Sequence, residues 1–316
     1  MFLCIFQLQP KESQKYSKNF NFENIFKDNA KISIEKIKCI INYFETIQNI
    51  KFQNTNYFQQ MIIYRRCVFE SSDLYTKYQI DLNFAKMNVY FDNDNAIEYY
   101  TDKLSCLQIN FADKYIGGGV LSYGCVQEEI LFITTPELLP SILFTEYLKE
   151  NESLLVLGAN KFSKYIGYAN SFQFAGIFPL KDQYDIVYGF KDAFDFRKLD
   201  NQLQQFEQKY LQREIIKSLS LFTSYEGNQI VTGNWGCGVF QGDPQLKLIL
   251  QLISANLANK NEIYYCTFRH EQLYFLQKYW DIIKYLNIEK ILFYIEKYYQ
   301  QQIKEYNLIQ FIVLQL

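Results

Sequence analysis

Histidine is almost missing from this chain: His270 is the only one in 316 residues. That count excludes multi-histidine metal sites and forces any Ser-His-Asp or Cys-His chemistry through one side chain. A lone histidine is more often a surface or packing residue, so chemistry is expected to rest on carboxylates or on groups of a bound substrate. Cysteine pairs are missing too. Cys4, Cys39, Cys67, Cys106, Cys125, Cys237 and Cys266 are odd in number and contain no C-x-x-C spacing. This argues against a disulfide framework or a zinc ribbon and for reduced thiols inside a cell. No apolar run approaches the ~18 residues of a membrane span. Met1–Pro10 is apolar but lacks a charged flank and a small-residue cleavage site, so it is read as part of the fold. The expected location is nuclear or cytoplasmic, not secreted and not in a membrane. An excess of basic charge is also absent, since the net charge is −2. Sequence-specific nucleic-acid binding is therefore not expected. A polyanion could still be held by backbone N–H groups, which carry no formal charge.

What is present is a globular composition, 49% hydrophobic and 21% charged. The aromatic share of 18% is read as core filling. Apolar spacing at positions 34, 37, 41 and 44 predicts a helix over Ile34–Ile47. Further helices are predicted over Lys198–Leu219, Leu246–Leu257, Leu273–Leu286 and Ile288–Ile303. Short β-like runs lie at Met61–Phe69, Met87–Phe91, Cys106–Phe111, Ser153–Leu157, Gln229–Val231 and Ile263–Phe268. Strands alternating with helices predict a layered α/β domain.

With only 13 glycines, their clustering is informative. Gly117-Gly118-Gly119 follow a predicted strand, and Gln127-Glu128-Glu129 come after seven intervening residues. Neighbouring side chains alternate on a strand and splay by about a quarter turn on a helix, so the two glutamates are not a symmetric glycosidase couple. Different tasks for the two are expected, one binding and one transferring a proton. Solvated glutamates at a helix start are the plainer alternative. The second cluster is Thr232-Gly-Asn-Trp-Gly-Cys-Gly-Val-Phe-Gln-Gly-Asp243, running from a strand into a helix. That geometry cradles phosphates on free N–H groups. It matches neither a Walker loop nor a dinucleotide fingerprint. Trp235 and Phe240 are either rings beside a phosphate path or core fillers of a tight turn.

Together these residues resemble the poly(ADP-ribose) glycohydrolases. The glycine triplet with Gln127-Glu128-Glu129 is similar to their signature, and Gly233–Phe240 to their diphosphate loop. The resemblance continues through Pro136-Glu-Leu-Leu, Leu143-Phe-Thr-Glu146, Tyr165-Ile-Gly-Tyr168-Ala and Tyr265-Cys-Thr-Phe268, and more weakly from Met1 through Glu35–Phe44. It implies a macrodomain-like three-layer α/β/α core with a mixed central sheet over residues 86–316, and accessory helices within 1–85. It implies hydrolysis of the ribose–ribose bonds of poly(ADP-ribose), free or on ADP-ribosylated proteins, by a monomer without metal or cofactor. By motif position Glu129 is the general acid and base, and Glu128 aligns ribose hydroxyls. Gln127, Asn110, Asp113, Gly117, Gly118 and Gly119 shape the distal ribose site. Asn234, Trp235, Gly236, Cys237, Gly238 and Val239 supply donors to the diphosphate, and Phe240 sets the ribose beside Glu129. Tyr168 and Phe268 border the ligand, and Ile97 and Glu98 read adenine.

Two departures stand out. Asn110-Phe-Ala-Asp113 exchanges the polar residues of the family's Asp-Phe-Ala-Asn, placing a carboxylate where an amide would donate to ribose. Gln241 stands where a glycine often follows the loop phenylalanine. The chain also begins late relative to longer members, whose upstream helices it is expected to lack. The exchange keeps two other readings open: a non-catalytic ADP-ribose reader, and a hydrolase of mono-ADP-ribosyl linkages.

Overall fold

The computed structural model describes residues 21–27, 31–53, 57, 59–70, 83–180, 185–274, 276–303 and 305–316. Met1–Pro10, expected to be part of the fold, lies outside them. The strands are β1 (Ile63–Val68), β2 (Asn88–Asp92), β3 (Cys106–Ala112), β4 (Glu152–Leu157), β5 (Ser163–Ile166), β6 (Gln173–Ile177), β7 (Ile186–Asp192), β8 (Gln229–Gly233) and β9 (Glu262–Cys266). Seven of them form one mixed sheet in the order β1-β4-β7-β3-β8-β9-β2, and β5 and β6 form a separate hairpin. β1 and β4 join antiparallel at one edge, while β7, β3, β8, β9 and β2 run parallel. β1 comes from the stretch expected to be accessory, yet it is the edge strand of this sheet.

The main helices are α1 (Lys31–Gln53), α2 (Ile97–Thr101), α3 (Gln127–Thr134), α4 (Gln208–Phe222), α5 (Pro244–Leu257), α6 (Leu276–Ile283), α7 (Ile288–Gln300) and α8 (Leu308–Leu314). They cover both faces of the sheet, which makes three layers. Alternation along the strands divides the core. Leu107 and Ile109 of β3 pack with α4–α8, whereas Leu154 and Val156 of β4 and Tyr188 and Phe190 of β7 pack with α1 and α3. Strands buried on both faces read as nearly continuous apolar runs, as Glu152–Leu157 does. The same logic buries α5 on nearly all sides, since it lies between the sheet and the C-terminal helices. Asp243 starts α5 by accepting the Leu246 N–H at 2.8 Å, with Pro244 at the first helical position.

Two predicted boundaries are corrected. The helix expected from Lys198 begins at Gln208. Asn201 instead takes the Leu203 N–H at 3.0 Å and opens a separate tight turn over Gln202–Phe206, a local bond that competes with helix. The strand expected to reach Phe268 ends at Cys266, because Phe268 and Arg269 adopt left-handed φ values of 50° and 56°.

Function follows from direction. The five parallel strands point their C-terminal ends the same way and deliver five loops to one rim, where ligands of open α/β sheets bind. Behind that rim the two helices α4 and α5 are tied by charge. Lys247 of α5 pairs with Glu214 of α4, both buried. Glu214 also accepts Arg213 Nη1 at 2.7 Å and the Phe194 N–H at 3.0 Å. Removing one partner leaves a buried charge short of a partner. Lys247→Met is therefore expected to lower unfolding free energy by about 3 kcal/mol, read as a lower denaturant midpoint at unchanged slope. A loss under about 1 kcal/mol, the scale of an exposed pair, would show that the pair does not tie α4 to α5.

Candidate active site

The glutamate pair opens α3. Gln127, Glu128 and Glu129 are its first three residues. Solvated ends are excluded, because Glu128 is 4% and Glu129 6% exposed. Backbone N–H groups hold both carboxylates. Glu128 Oε1 accepts from Gly117 at 2.7 Å and Oε2 from Asp113 at 2.9 Å. Glu129 Oε1 accepts from Gly119 at 2.7 Å, and Oε2 reaches back to the Val126 N–H at 2.9 Å. That last bond satisfies a donor at the helix start, half of a capping box. Gln127 ties the helix to β3 by accepting the Phe111 N–H at 2.8 Å and donating to Ile109 O at 3.2 Å. The glycine loop curls closely around the pair. A Cβ on Gly118, whose φ is +49°, would collide with Glu129 Oε1 and lie 2.8 Å from Glu128 Oε2.

Burial lifts the Glu128 carboxyl well above its ordinary range. The Asp113 and Gly117 N–H groups oppose the rise, and the charges of Glu129 and Asp113 add to it.

A cleft of about 1380 Å³ opens over this pair. Its wall includes Ile97, Glu98, Asp113, Gly118, Gly119, Gln127, Glu128 and Glu129. Across it stand Tyr168, Phe268 and the loop from Asn234 through Trp235, Gly236, Cys237, Gly238, Val239 and Phe240. Asn110 and Gly117 are not on the wall. Asn110 is fully buried, and neither polar atom of its side chain has a partner among the described residues. Asp113 is on the wall and turns its Oδ1 to the Tyr115 N–H at 2.8 Å.

The second loop resolves the two aromatic alternatives differently. Phe240 borders the cleft, while the Trp235 ring is fully buried and donates to Lys191 O at 3.0 Å. Trp235 is therefore a core anchor under the loop. Bonds inside the loop engage the N–H groups of Trp235, Cys237, Gln241 and Gly242. Among the described residues the N–H groups of Gly236, Gly238, Val239 and Phe240 meet no acceptor. Free donors converging on a cleft form an anion cradle.

Sequence reading missed the buried lysines behind that cradle. Lys191 Nζ lies 3.7 Å and Lys247 Nζ 4.0 Å from the Trp235 ring centroid. Lys191 is fully buried and bonds only neutral groups, Ser218 Oγ at 2.7 Å and Gln251 Oε1 at 3.2 Å. Burial holds its pKa well below the usual range, and nearby Arg213 deepens the fall. The available signal was Lys247 inside the run Leu246–Ile253, whose only other polar residue is Gln251. The lone histidine also sits on the cleft wall, with Nδ1 buried and unpartnered among the described residues.

Strain collects at the rim. Ala169 follows Tyr168 at φ 49°, Gln241 follows Phe240 at φ 56°, and Phe268 itself has φ 50°. The Tyr168 and Phe268 rings lie 6.2 Å apart, both exposed. Tyr165 reaches the other end of the cleft, where its hydroxyl is bound to Glu98; burial first, and then Glu98, push its pKa upward.

With this geometry in hand, the comparisons agree. Residues 75–275 match the family described as Poly (ADP-ribose) glycohydrolase (PARG), Macro domain fold, and residues 1–66 match its helical domain. The chain belongs to the poly(ADP-ribose) glycohydrolase family. It is 31% identical over 274 residues to poly(ADP-ribose) glycohydrolase 1 of Caenorhabditis elegans, covering 80% of this chain and 34% of that protein. It is 27% identical to poly(ADP-ribose) glycohydrolase 1 of Arabidopsis thaliana, covering 86% of this chain and 62% of that one. The chain thus spans between a third and two thirds of the length of these relatives.

Two outcomes follow. Gln241→Gly relieves a left-handed glutamine and is expected to stabilise the protein by about 0.5–1 kcal/mol in denaturant unfolding; a loss of stability would mean the side chain holds the loop. Glu128 has a folded pKa above its unfolded one. Its contribution is full below the ordinary carboxylate range and is lost as pH rises through the folded value. Glu128→Gln should therefore gain stability relative to the parent chain between mildly acidic and mildly alkaline pH. A difference that stays flat with pH would refute the raised value.

Proposed function

We propose that this protein is a poly(ADP-ribose) glycohydrolase that releases ADP-ribose by hydrolysing ribose–ribose bonds. One observation carries the reading: two buried carboxylates of unlike setting open on the same cleft as a loop with four free N–H groups. The diphosphate lies on the free N–H groups of Gly236, Gly238, Val239 and Phe240. Adenine extends toward Ile97, Glu98 and Tyr165, bordered by Tyr168 and Phe268. The distal ribose then falls between Phe240 and the glutamates.

In this reading Glu129 protonates the leaving ribose oxygen as the glycosidic bond breaks. It then takes a proton from the water that completes hydrolysis. The neighbouring carboxyl of Glu128 binds ribose hydroxyls, and the negative charge of the pair favours an oxocarbenium-like transition state. The protein acts as a monomer on free polymer or on ADP-ribosylated proteins. It works inside the cell, in the nucleus or the cytoplasm. Two observations support that location: the described cysteines are all free thiols, and no helix of the described residues is long and apolar enough to cross a membrane. The sheet unit begins ahead of β1 in this reading, rather than near residue 86.

The deciding experiment incubates purified poly(ADP-ribose) with parent and Glu129→Gln protein and measures ADP-ribose release. The variant should lose about 10²–10⁴-fold in turnover, as loss of an acid–base group does, while still binding ADP-ribose. Binding without release by the parent chain would establish a reader instead, the reading the Asn110 and Asp113 exchange favours.

A further inference from the structure

The proposed mechanism leaves one buried charge near the cleft without a task. Lys36 lies on α1, within the region matching the helical-domain family, and it is fully buried. Its ammonium reaches into the other unit. It donates to Ser122 O at 2.7 Å, to Val120 O at 3.0 Å and to Gly124 O, with Gly119 O at 3.5 Å. All four carbonyls belong to the loop that joins the glycine triplet to α3.

The stoichiometry of donors identifies the form that fits. An ammonium has three N–H donors, whereas a neutral amine has two, and here at least three carbonyls are within bonding reach. Burial lowers the Lys36 pKa, while Cys125 and Glu129 pull it back up. Glu129 is thus close enough to feel the charge. The loop's polar groups are sorted accordingly. Its carbonyls turn toward Lys36, and its Gly117 and Gly119 N–H groups turn toward the carboxylates.

We propose that Lys36 is a positioning residue for hydrolysis, through which the helical unit fixes the curl of the Gly119–Gly124 loop and so the placement of Glu129. Lys36 does not touch substrate; it acts through the loop. This inference rests on the glycohydrolase reading above.

A purely structural bolt on the same helix supplies the control. Asn42 is buried and donates from Nδ2 to Phe162 O at 2.8 Å and Ser163 Oγ at 3.0 Å, none of them in the glutamate loop. The experiment compares the full chain with Lys36→Met, Lys36→Gln and Asn42→Ala. Three quantities are read below the lowest thermal midpoint: kcat for ADP-ribose release at saturating polymer, Kd for ADP, and the thermal midpoint itself. ADP lacks the distal ribose, so it reports the diphosphate loop alone.

Lys36→Met should lower kcat by roughly tenfold to a hundredfold, the scale of a small misplacement of a catalytic group. Its Kd for ADP should stay within about threefold of the parent, and Lys36→Gln, which keeps two donors, should fall between the two in kcat. Asn42→Ala should lower the thermal midpoint yet keep kcat within about threefold of the parent. If Lys36→Met does not fold, Lys36→Gln carries the same comparison. The proposal is overturned if both Lys36 variants keep the parent kcat, or if Asn42→Ala loses kcat as much as they do. A parent chain that releases no ADP-ribose overturns the glycohydrolase reading, and the inference with it; a parent chain that releases it while the Lys36 variants match it overturns the inference alone.

Discussion

Burying two adjacent carboxylates with no cationic side chain among the described residues bonded to either is the constraint on which the site is built. A carboxylate needs donors when it leaves water, and here the backbone supplies them. Asp113, Gly117, Gly119 and Val126 each give an N–H. That demand dictates a loop tight enough to aim alternate peptide groups inward, hence glycine at position 118, where a Cβ would meet the carboxylates themselves. It also leaves the loop's carbonyls pointing outward into protein, where Lys36 collects them. Charges, loop and neighbouring helix are one arrangement, not three.

The other half of the cleft solves the opposite problem. A loop of free N–H groups has nothing negative of its own, and Trp235 anchors it from beneath, with the buried Lys191 and Lys247 side chains against its ring. Polarity therefore changes across the cleft, from carboxylates at one wall to backbone donors at the other. A ligand with a diphosphate at one end and neutral sugar hydroxyls near the glutamates matches that gradient.

Much of this was legible in the sequence because short-range chemistry wrote it there. The glycine triplet, the Gln127–Glu129 segment and the Asn234–Phe240 loop each declare their geometry within a dozen residues. The α/β class followed from apolar spacing. What escaped needed contacts between distant segments. Strand β7 holds a central place in the sheet, but Gly189 and the closing Lys191-Asp192 disguise it. The glycine is there because Leu221 and Leu107 crowd the strand, with atoms 2.7 Å and 2.9 Å from where a Cβ would stand. Lys36 carries no local signal of its task, since its partners lie more than 80 positions away. Trp235 could be read either way, and only packing shows that its ring faces the core. Asn110 sits in the right motif but is fully buried and does not line the cleft.

The left-handed residues along the rim have a thermodynamic consequence. Tyr168, Phe240 and Phe268 are each presented from, or directly beside, a backbone held in a small and sparsely populated well. Such a well narrows the range over which the backbone beside each ring can swing. That part of the rim's conformational freedom is surrendered when the chain folds, so it is not lost again when a ligand arrives. The strain lowers the stability of the folded protein and in return fixes where the rim's backbone stands.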